Sequence, residues 1–317
     1  MSPLSVLASC ALLVLSPVAQ AAGVRPGQIK NFVTFGDSYT DVISVSNGGT
    51  AWPIYAAGYA HVNLFPFARS GATCSNNITF RPFPSVFESQ LPLYASEKNN
   101  GSLKVGAQET IYSLWIGTND VGSNALLTGS DKTSLVDVTE CMVNWVKSLY
   151  ETGARNFIFQ NMIPLETVPL YAPVSYPNRF WTAQRNDTEW SVFMKELVLS
   201  GNALTKLMLQ ALAPTLRDAH IALFDSHALF ADMFARPAVY LNGTAPLNTT
   251  GAVNACVFDL NESTSAGGRC TIAQGTDRDS FLWFDELHPS EQADRVVAKE
   301  ISKVINGNTS KWATWLS

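Results

Sequence analysis

Four apolar segments, each followed at once by polar residues, occur at intervals along the chain. They are KNFVTFGDS from Lys30, IYSLWIGTND from Ile111, RNFIFQNMIP from Arg155 and HIALFDSH from His220. Short apolar runs bounded by polar residues are typical of parallel strands that are buried on both faces. We therefore expect four parallel strands whose carboxyl ends carry the polar residues.

Helix-like patterns separate these segments. Apolar residues recur with helical spacing over 135–151 and over 189–216, where Gly201 is expected to break the helix, and Ser290 opens a last helix. Strands that alternate with helices form a parallel sheet covered on both faces. The chain is therefore predicted to have an α/β fold, with a central parallel sheet in a three-layer α/β/α arrangement.

The composition is that of a globular chain. Of the 317 residues, 46% are hydrophobic and only 15% are charged, which excludes the disordered class. The net charge is -5, and Lys and Arg form no cluster. Because binding to a nucleic-acid backbone depends on such clusters, we expect no nucleic-acid partner.

The first 21 residues have the features of a secretory signal peptide. An apolar run from Leu7 to Leu15 precedes Ala19-Gln20-Ala21, a small-x-small cleavage pattern, although no Lys or Arg comes before the run. The run is shorter than the ~20 residues that span a bilayer. We expect a secreted, extracellular protein without a membrane anchor.

Residues 22–317 are predicted to form a single domain, present as a monomer. The segment 239–276 is rich in Gly, Asn, Thr and Ala and is expected to be an insertion at its surface. The C-terminal stretch carries Trp312 and Trp315, which we expect to dock it on the domain.

The cysteine count fits secretion. Removing the leader removes Cys10 and leaves four cysteines, which an oxidising compartment converts into two disulfides with three possible pairings. We favour Cys256 with Cys270, which closes a short Gly- and Ser-rich loop, and by elimination Cys74 with Cys141.

Asn-x-Ser/Thr sequons are dense in this chain, which suggests a eukaryotic glycoprotein. The predicted glycosylation sites are Asn77, Asn100, Asn186, Asn242, Asn248, Asn261 and Asn308.

Ser38 is the candidate nucleophile. Gly36-Asp37-Ser38 directly follows the first apolar segment, and ligands of open α/β sheets bind at the carboxyl ends of strands. The alternative is a turn residue that caps the following segment.

A serine nucleophile needs a base, and the base needs an orienting acid. In FDELHPS, His288 follows Asp285 by three residues, so that on a tight turn the carboxylate reaches one imidazole nitrogen and leaves the other free. His227 follows Asp225 by two residues at the end of another predicted strand. The pattern leaves both pairs open.

Ester hydrolysis also requires donors to the oxyanion, each worth ~3–4 kcal/mol. Asn119 supplies an amide at the end of the second predicted strand, and Gly71 in ARSGATCS offers an unobstructed backbone N–H.

These blocks together resemble the four sequence blocks of the GDSL or SGNH hydrolases, in the same chain order: Gly36-Asp37-Ser38, Gly71, Gly117-x-Asn119-Asp120 and Asp285-x-x-His288. The resemblance implies the flavodoxin-like fold of that family. It further implies Ser38 as nucleophile, His288 as general base and Asp285 as orienting acid. The implied oxyanion hole consists of the Ser38 and Gly71 N–H groups and the Asn119 side chain.

Two positions bear on this resemblance. Tyr39 stands where the family has Leu, a change that we expect to touch no catalytic role. Thr40 occupies the second glycine position of a Gly-x-Ser-x-Gly elbow, which disfavours the α/β-hydrolase fold.

The stretches FVTFGDSYTD, GTAWPIYAA and SGATCS look most like fungal acetylesterases of carbohydrate esterase family 16. That resemblance implies removal of acetyl groups from hemicellulose-derived sugars, especially short xylo-oligosaccharides. We expect no cofactor and no metal, because no metal-ligand spacing occurs and the cysteines are better used as bridges. The alternatives are a lipase or phospholipase on longer acyl esters, a transferase, and an inactive carbohydrate-binding glycoprotein.

Aromatic side chains are the expected surface for a sugar. Trp52 and Trp283 are the predicted substrate-binding residues, with Tyr55 and Trp181 as further candidates. Core packing is the competing interpretation for each.

Overall fold

The structure, a computed structural model, describes residues 23–130 and 132–317. The predicted signal peptide lies outside the described residues. Within these ranges, no helix is long and apolar enough to cross a membrane.

The described chain alternates strands and helices, as the sequence pattern predicts. The strands are β1 (Asn31–Gly36), β2 (Asn63–Pro66), β3 (Thr110–Trp115), β4 (Asn156–Gln160), β5 (His220–Phe224), β6 (Asn248–Ala252), β7 (Asn254–Val257), β8 (Arg269–Ile272), β9 (Phe281–Trp283) and β10 (Ala313–Trp315). The α-helices are α1 (Trp52–Ala60), α2 (Leu91–Asn99), α3 (Thr118–Val121), α4 (Leu135–Glu151), α5 (Asp187–Leu212), α6 (Ser226–Ala235) and α7 (Glu291–Ile305).

The central sheet has the strand order β10-β5-β4-β3-β1-β2. Strands β1 to β5 are parallel, and β10 is antiparallel to β5. The four apolar segments form β1, β3, β4 and β5, which confirms the central parallel sheet. The edge strands β2 and β10 were not predicted as strands, although β10 docks the C-terminal stretch as expected.

Helices cover both faces of the sheet. Alternate strand residues such as Phe32, Ile111 and Ile158 pack in one cluster with side chains of α1, α6 and α7. The intervening residues, such as Tyr112 and Phe157, pack with side chains of α2 and α4. Because side chains alternate along a strand, a sheet buried on both faces produces the continuous apolar runs seen in the sequence.

The helix boundaries follow local signals, with one exception. The Ser290 hydroxyl accepts a hydrogen bond from the Ala293 N–H and so caps α7, as predicted. The expected break near Gly201 is wrong, because α5 is continuous from Asp187 to Leu212. A Cβ at Gly201 would lie 2.7 Å from the Met162 methyl group, so the glycine permits close packing.

Both predicted disulfide pairings are confirmed, Cys74 with Cys141 and Cys256 with Cys270. Cys256 and Cys270 are directly opposite each other in the antiparallel pair β7–β8. This pair lies within the predicted insertion 239–276, which also contributes β6, the partner of β9.

Six of the seven sequon asparagines are exposed, and Asn248 is half-buried. The Asn248 side-chain oxygen accepts hydrogen bonds from the N–H groups of Thr250 and Gly251. Glycosylation at these positions stays a prediction.

Candidate active site

Ser38 lies on a tight turn directly after β1. Gly36, two residues before Ser38, has a φ of +148°. A Cβ at this position would lie 2.3 Å from the Trp115 carbonyl oxygen of β3. Only glycine fits this position. The Asp41 N–H donates to the Asp37 carbonyl oxygen over 3.0 Å, which closes the turn and leaves Ser38 half-buried at its tip.

A buried glutamine holds the residue at which the strand ends and this turn begins. The Gln90 oxygen accepts a hydrogen bond from the Gly36 N–H at 3.1 Å, and its amide nitrogen donates to the Gly36 carbonyl at 2.8 Å. The side chain therefore satisfies both backbone groups of the last strand residue.

Ser38, His288 and Asp285 form a hydrogen-bonded array. The Ser38 Oγ lies 2.9 Å from His288 Nε2, and His288 Nδ1 lies 2.9 Å from Asp285 Oδ1. His288 and Asp285 are 8% and 5% exposed, so the array is shielded from water on most sides. These distances are those of a nucleophile, a base and an orienting acid.

The Asp285 carboxylate is held in its charged form. Burial alone would raise its pKa, but the neighbouring imidazole and the backbone N–H groups of Leu287 and His288 outweigh burial and lower it. These N–H groups donate to Oδ1 at 2.9 and 2.8 Å. Hydrogen bonds and a partner that favour the anion compensate for its lost hydration.

Tyr39 connects the nucleophile turn to the histidine turn. Its hydroxyl donates a 2.9 Å hydrogen bond to the Leu287 carbonyl oxygen, and its ring centre is 5.8 Å from that of His288. Leucine, the usual residue at this position in the GDSL or SGNH hydrolases, has no hydroxyl to make this bond. The departure at Tyr39 therefore has a structural consequence that the sequence did not reveal.

Two candidate oxyanion donors lie near the array, one on a loop and one at the start of a short helix. Gly71 has a φ of +80°, and the Ala72 N–H donates to the Arg69 carbonyl, so that Gly71 occupies the third position of a type II turn. The Asn119 amide, at the start of α3, donates one hydrogen bond to the Ala72 carbonyl at 2.9 Å. Its second N–H is available to a ligand.

Two buried carboxylates hold the loop that carries Gly71. Asp41 Oδ2 accepts hydrogen bonds from the N–H and hydroxyl of Ser70, the residue before Gly71. Asp120 Oδ1 accepts from the Cys74 N–H and the Thr79 hydroxyl. The loop that carries Gly71 is therefore anchored both to the turn that carries Ser38 and to helix α3, which carries Asn119.

The second histidine–aspartate pair is arranged differently. Asp225 caps α6, because its Oδ1 accepts hydrogen bonds from the Ala228 N–H and the Asn161 amide. The His227 N–H donates to the Asn161 oxygen, and its Nε2 is buried without a hydrogen-bond partner among the described residues. Helix capping explains this pair, and His288 is the histidine that contacts Ser38.

The expectation that Trp52 and Trp283 bind substrate is wrong. Both side chains are 0% exposed. Trp52 packs against Phe32 and Trp115, and Trp283 stacks on Phe230. Fully buried rings offer no face to a sugar, and core packing accounts for both tryptophans.

A small cleft opens beside the array. Ser38 and His288 line it together with the apolar side chains of Val45, Ala51 and Pro289. No cluster of three or more His, Cys, Asp and Glu side chains that could hold a metal ion occurs in the ranges 23–130 and 132–317.

The fold and the serine–histidine–aspartate array define a hydrolase of the three-layer α/β/α class. The sequence model of the family described as GDSL-like Lipase/Acylhydrolase matches residues 32–301. The chain therefore belongs to the GDSL-like lipase/acylhydrolase family and is a carboxylic ester hydrolase.

Relatives of this chain include two fungal proteins named acetylesterase. That of Hypocrea jecorina is 29% identical, over 90% of this chain and 91% of its own length. That of Thermothelomyces thermophilus is 24% identical, over 94% of this chain and 96% of its own. Among solved structures, an acetylxylan esterase of Geobacillus stearothermophilus, Axe2, aligns with 92% of this chain and 100% of its own at 15% identity and a TM-score of 0.46.

Asp37, next to the nucleophile, is a buried acid with one unsatisfied oxygen. Oδ1 accepts the Tyr39 N–H at 3.0 Å, and Oδ2 has no hydrogen-bond partner among the described residues. Burial raises the pKa of Asp37 to about 7, although the Tyr39 N–H and the nearby His288 act in the opposite direction. An unfolded aspartate has a pKa of about 3.9.

The sign of the resulting pH dependence follows from proton binding. Between pH ~4 and ~7, the folded state binds more protons at Asp37 than the unfolded state does, so this group's contribution to stability falls as pH rises. Asp37→Asn, which imitates the protonated acid, should raise the melting temperature by several degrees at pH 8 and by much less at pH 4.5. At roughly 2–4 °C per kcal/mol, calorimetry resolves the difference.

The matched control is Asp218→Asn, since the Asp218 side chain is 73% exposed. It should change the melting temperature at neither pH. An equal shift for Asp37→Asn at both pH values would contradict the titration of Asp37.

Proposed function

We propose that the protein is a secreted acetylesterase that removes acetyl groups from hemicellulose-derived xylo-oligosaccharides through an acyl-enzyme on Ser38. The observation that carries the proposal is the 2.9 Å contact between Ser38 Oγ and a histidine whose other ring nitrogen is held by the buried Asp285. Membership of the family gives the reaction class, and the hydrogen-bonded array supports the roles that we assign to Ser38, His288 and Asp285.

In the first step, Ser38 Oγ attacks the acetyl carbonyl carbon while His288 Nε2 takes the hydroxyl proton. The imidazolium that forms is stabilised by the adjacent Asp285 carboxylate. Because burial and hydrogen bonding hold that carboxylate in place, the imidazole keeps the tautomer in which Nε2 accepts the proton.

The oxyanion that develops on the carbonyl oxygen needs preorganised donors. We assign this role to the backbone N–H groups of Ser38 and Gly71 and to the second N–H of Asn119. Neither backbone N–H donates a hydrogen bond to another described residue. His288 then protonates the departing sugar oxygen, and water repeats the sequence on the acetyl-serine.

The small cleft favours a short acyl group. The cleft beside Ser38 has a volume of only about 10 Å³, far below the ~300–1,000 Å³ of pockets that hold drug-sized ligands, and a long fatty chain needs more room than this. The two fungal relatives carry the name acetylesterase, which agrees with an acetyl group. The choice of xylo-oligosaccharides rests on the resemblance of FVTFGDSYTD, GTAWPIYAA and SGATCS to fungal carbohydrate esterases.

Extracellular location is part of the proposal. Two disulfides are compatible with an oxidising compartment. Six exposed sequon asparagines and the leader-like N-terminal sequence agree with it.

The assignment of the base predicts an ordering of two histidine variants. His288→Ala should lower kcat/KM on an acetyl ester by about 10⁴–10⁶-fold, because the base is removed and Asp285 is left with no imidazole to orient. His227→Ala, the matched control, should stay close to the wild-type value in the same steady-state assay. The reverse ranking would move the base to the Asp225–His227 pair.

The assignment of the oxyanion hole predicts a selective loss of turnover. Asn119→Ala should lower kcat by about 10²–10³-fold with little change in KM, as loss of one preorganised donor does. Asn161→Ala is the control, because it removes another amide at a strand's carboxyl end that does not contact the array. A loss of less than tenfold for Asn119→Ala would remove it from the hole.

The acyl preference is tested with acetyl, butyryl and octanoyl esters of 4-nitrophenol, beside a mixture of acetylated xylo-oligosaccharides. We expect the acetyl ester to be cleaved fastest and acetate to be released from the oligosaccharides. Ser38→Ala, with an unchanged melting temperature, should be inactive and serves as the blank. Preference for octanoate with inert oligosaccharides would place the protein among lipid esterases.

A further inference from the structure

A rigid turn between β4 and α5 reaches the catalytic histidine. Asn178 and Trp181 exchange two backbone hydrogen bonds of 2.9 and 3.0 Å, which places Arg179 and Phe180 at the tip. The Asn178 side chain, 0% exposed, accepts the Phe180 N–H and donates to the Tyr176 carbonyl. The tip is therefore fixed by its own backbone and by a buried amide.

A buried ion pair attaches this turn to the histidine turn. Glu286, between Asp285 and His288, has a fully buried side chain, and its Oε2 accepts a hydrogen bond from Arg179 Nε at 3.0 Å. Its Oε1 accepts the Tyr176 hydroxyl at 3.1 Å. Because the carboxylate contacts the loop on both oxygens, the position of the loop follows that of the histidine turn.

The ion pair brings the next residue, Phe180, to the imidazole. The ring centre of Phe180 is 5.7 Å from that of His288. The ring of Tyr39 also lies beside His288, but Tyr39 is only 4% exposed and its hydroxyl is bonded to the Leu287 carbonyl. Phe180 is half-buried and so keeps a surface that a ligand can reach.

The chemistry of the reaction fixes where the alcohol must lie. His288 Nε2 protonates the departing oxygen, so that oxygen must come within about 2.6–3.2 Å of Nε2. A sugar ring bonded to this oxygen lies next to the imidazole, and the reachable aromatic surface there belongs to Phe180.

We propose that Phe180 is the residue that binds the alcohol part of the substrate, with its ring against the apolar C–H face of a pyranose. The inference rests on the proposed function, because it takes the leaving group to be a sugar. Arg179 and Glu286 are positioning residues that hold the ring beside His288.

The test separates substrates with and without a sugar ring. Phe180→Ala and Phe180→Leu are assayed on a monoacetylated methyl xyloside and on ethyl acetate. Leucine keeps the apolar bulk but not the flat ring, so both variants should raise KM for the xyloside about tenfold, the size of one aromatic contact. On ethyl acetate, whose alcohol part has no ring, kcat/KM should fall several-fold less than on the xyloside for both, and Phe180→Tyr should restore the xyloside KM.

Phe193→Ala is the matched control, since Phe193 is a 47% exposed aromatic residue on α5. It should change KM and kcat/KM for neither substrate. Equal losses on both substrates, or a Phe180→Leu variant with wild-type xyloside KM, would show that Phe180 only packs against His288 and would overturn the inference. A wild-type enzyme that cleaves ethyl acetate but not the acetylated xyloside would contradict the proposed function as well.

Discussion

The site depends on the solvation of one buried anion, the Asp285 carboxylate. A carboxylate without water would take up a proton unless hydrogen bonds replaced its hydration. Here the N–H groups of Leu287 and His288 and the imidazole itself provide that replacement. The turn that surrounds the anion is therefore the turn that aims His288 at Ser38. Tyr39 then fixes the distance between the two turns through the Leu287 carbonyl.

Two adjacent acids in this turn make different contacts. Asp285 orients the imidazole, whereas Glu286 holds the β4–α5 loop through Arg179 and Tyr176. Glu286 also accepts a 2.6 Å hydrogen bond from the Cys256 N–H, so the inserted hairpin β7–β8 is anchored at the same point. Burial raises the pKa of Glu286, and the Cys256 N–H and Arg179 act against that rise. Segments far apart in sequence meet at a single carboxylate, which couples loop position to the catalytic geometry.

The sequence predicts those parts of the fold and site that local patterns encode. A buried parallel strand followed by Ser38, and the three-residue spacing from Asp285 to His288, are local features, and the structure brings these residues together. Burial of Trp52 depends on helices packed from elsewhere in the chain, so a tryptophan near a motif resembles a binding residue until the fold is known. Phe180 had no local signal, because its relation to the site passes through a tertiary ion pair. The short edge strands β2 and β10 lack the long apolar runs that mark central strands.

The two disulfides stabilise the same hydrogen-bonding scheme. The N–H of Cys74 donates to Asp120, the neighbour of Asn119, and the N–H of Cys256 donates to Glu286, the neighbour of Asp285. One half-cystine of each disulfide thus supplies a donor to a buried acid beside a site residue. A carboxylate in such a place destabilises the fold when a donor moves away, because its desolvation is then uncompensated. A disulfide that restricts the donor's loop keeps the N–H within hydrogen-bond distance of the carboxylate. These bridges therefore support the geometry of the site as well as the stability of the chain.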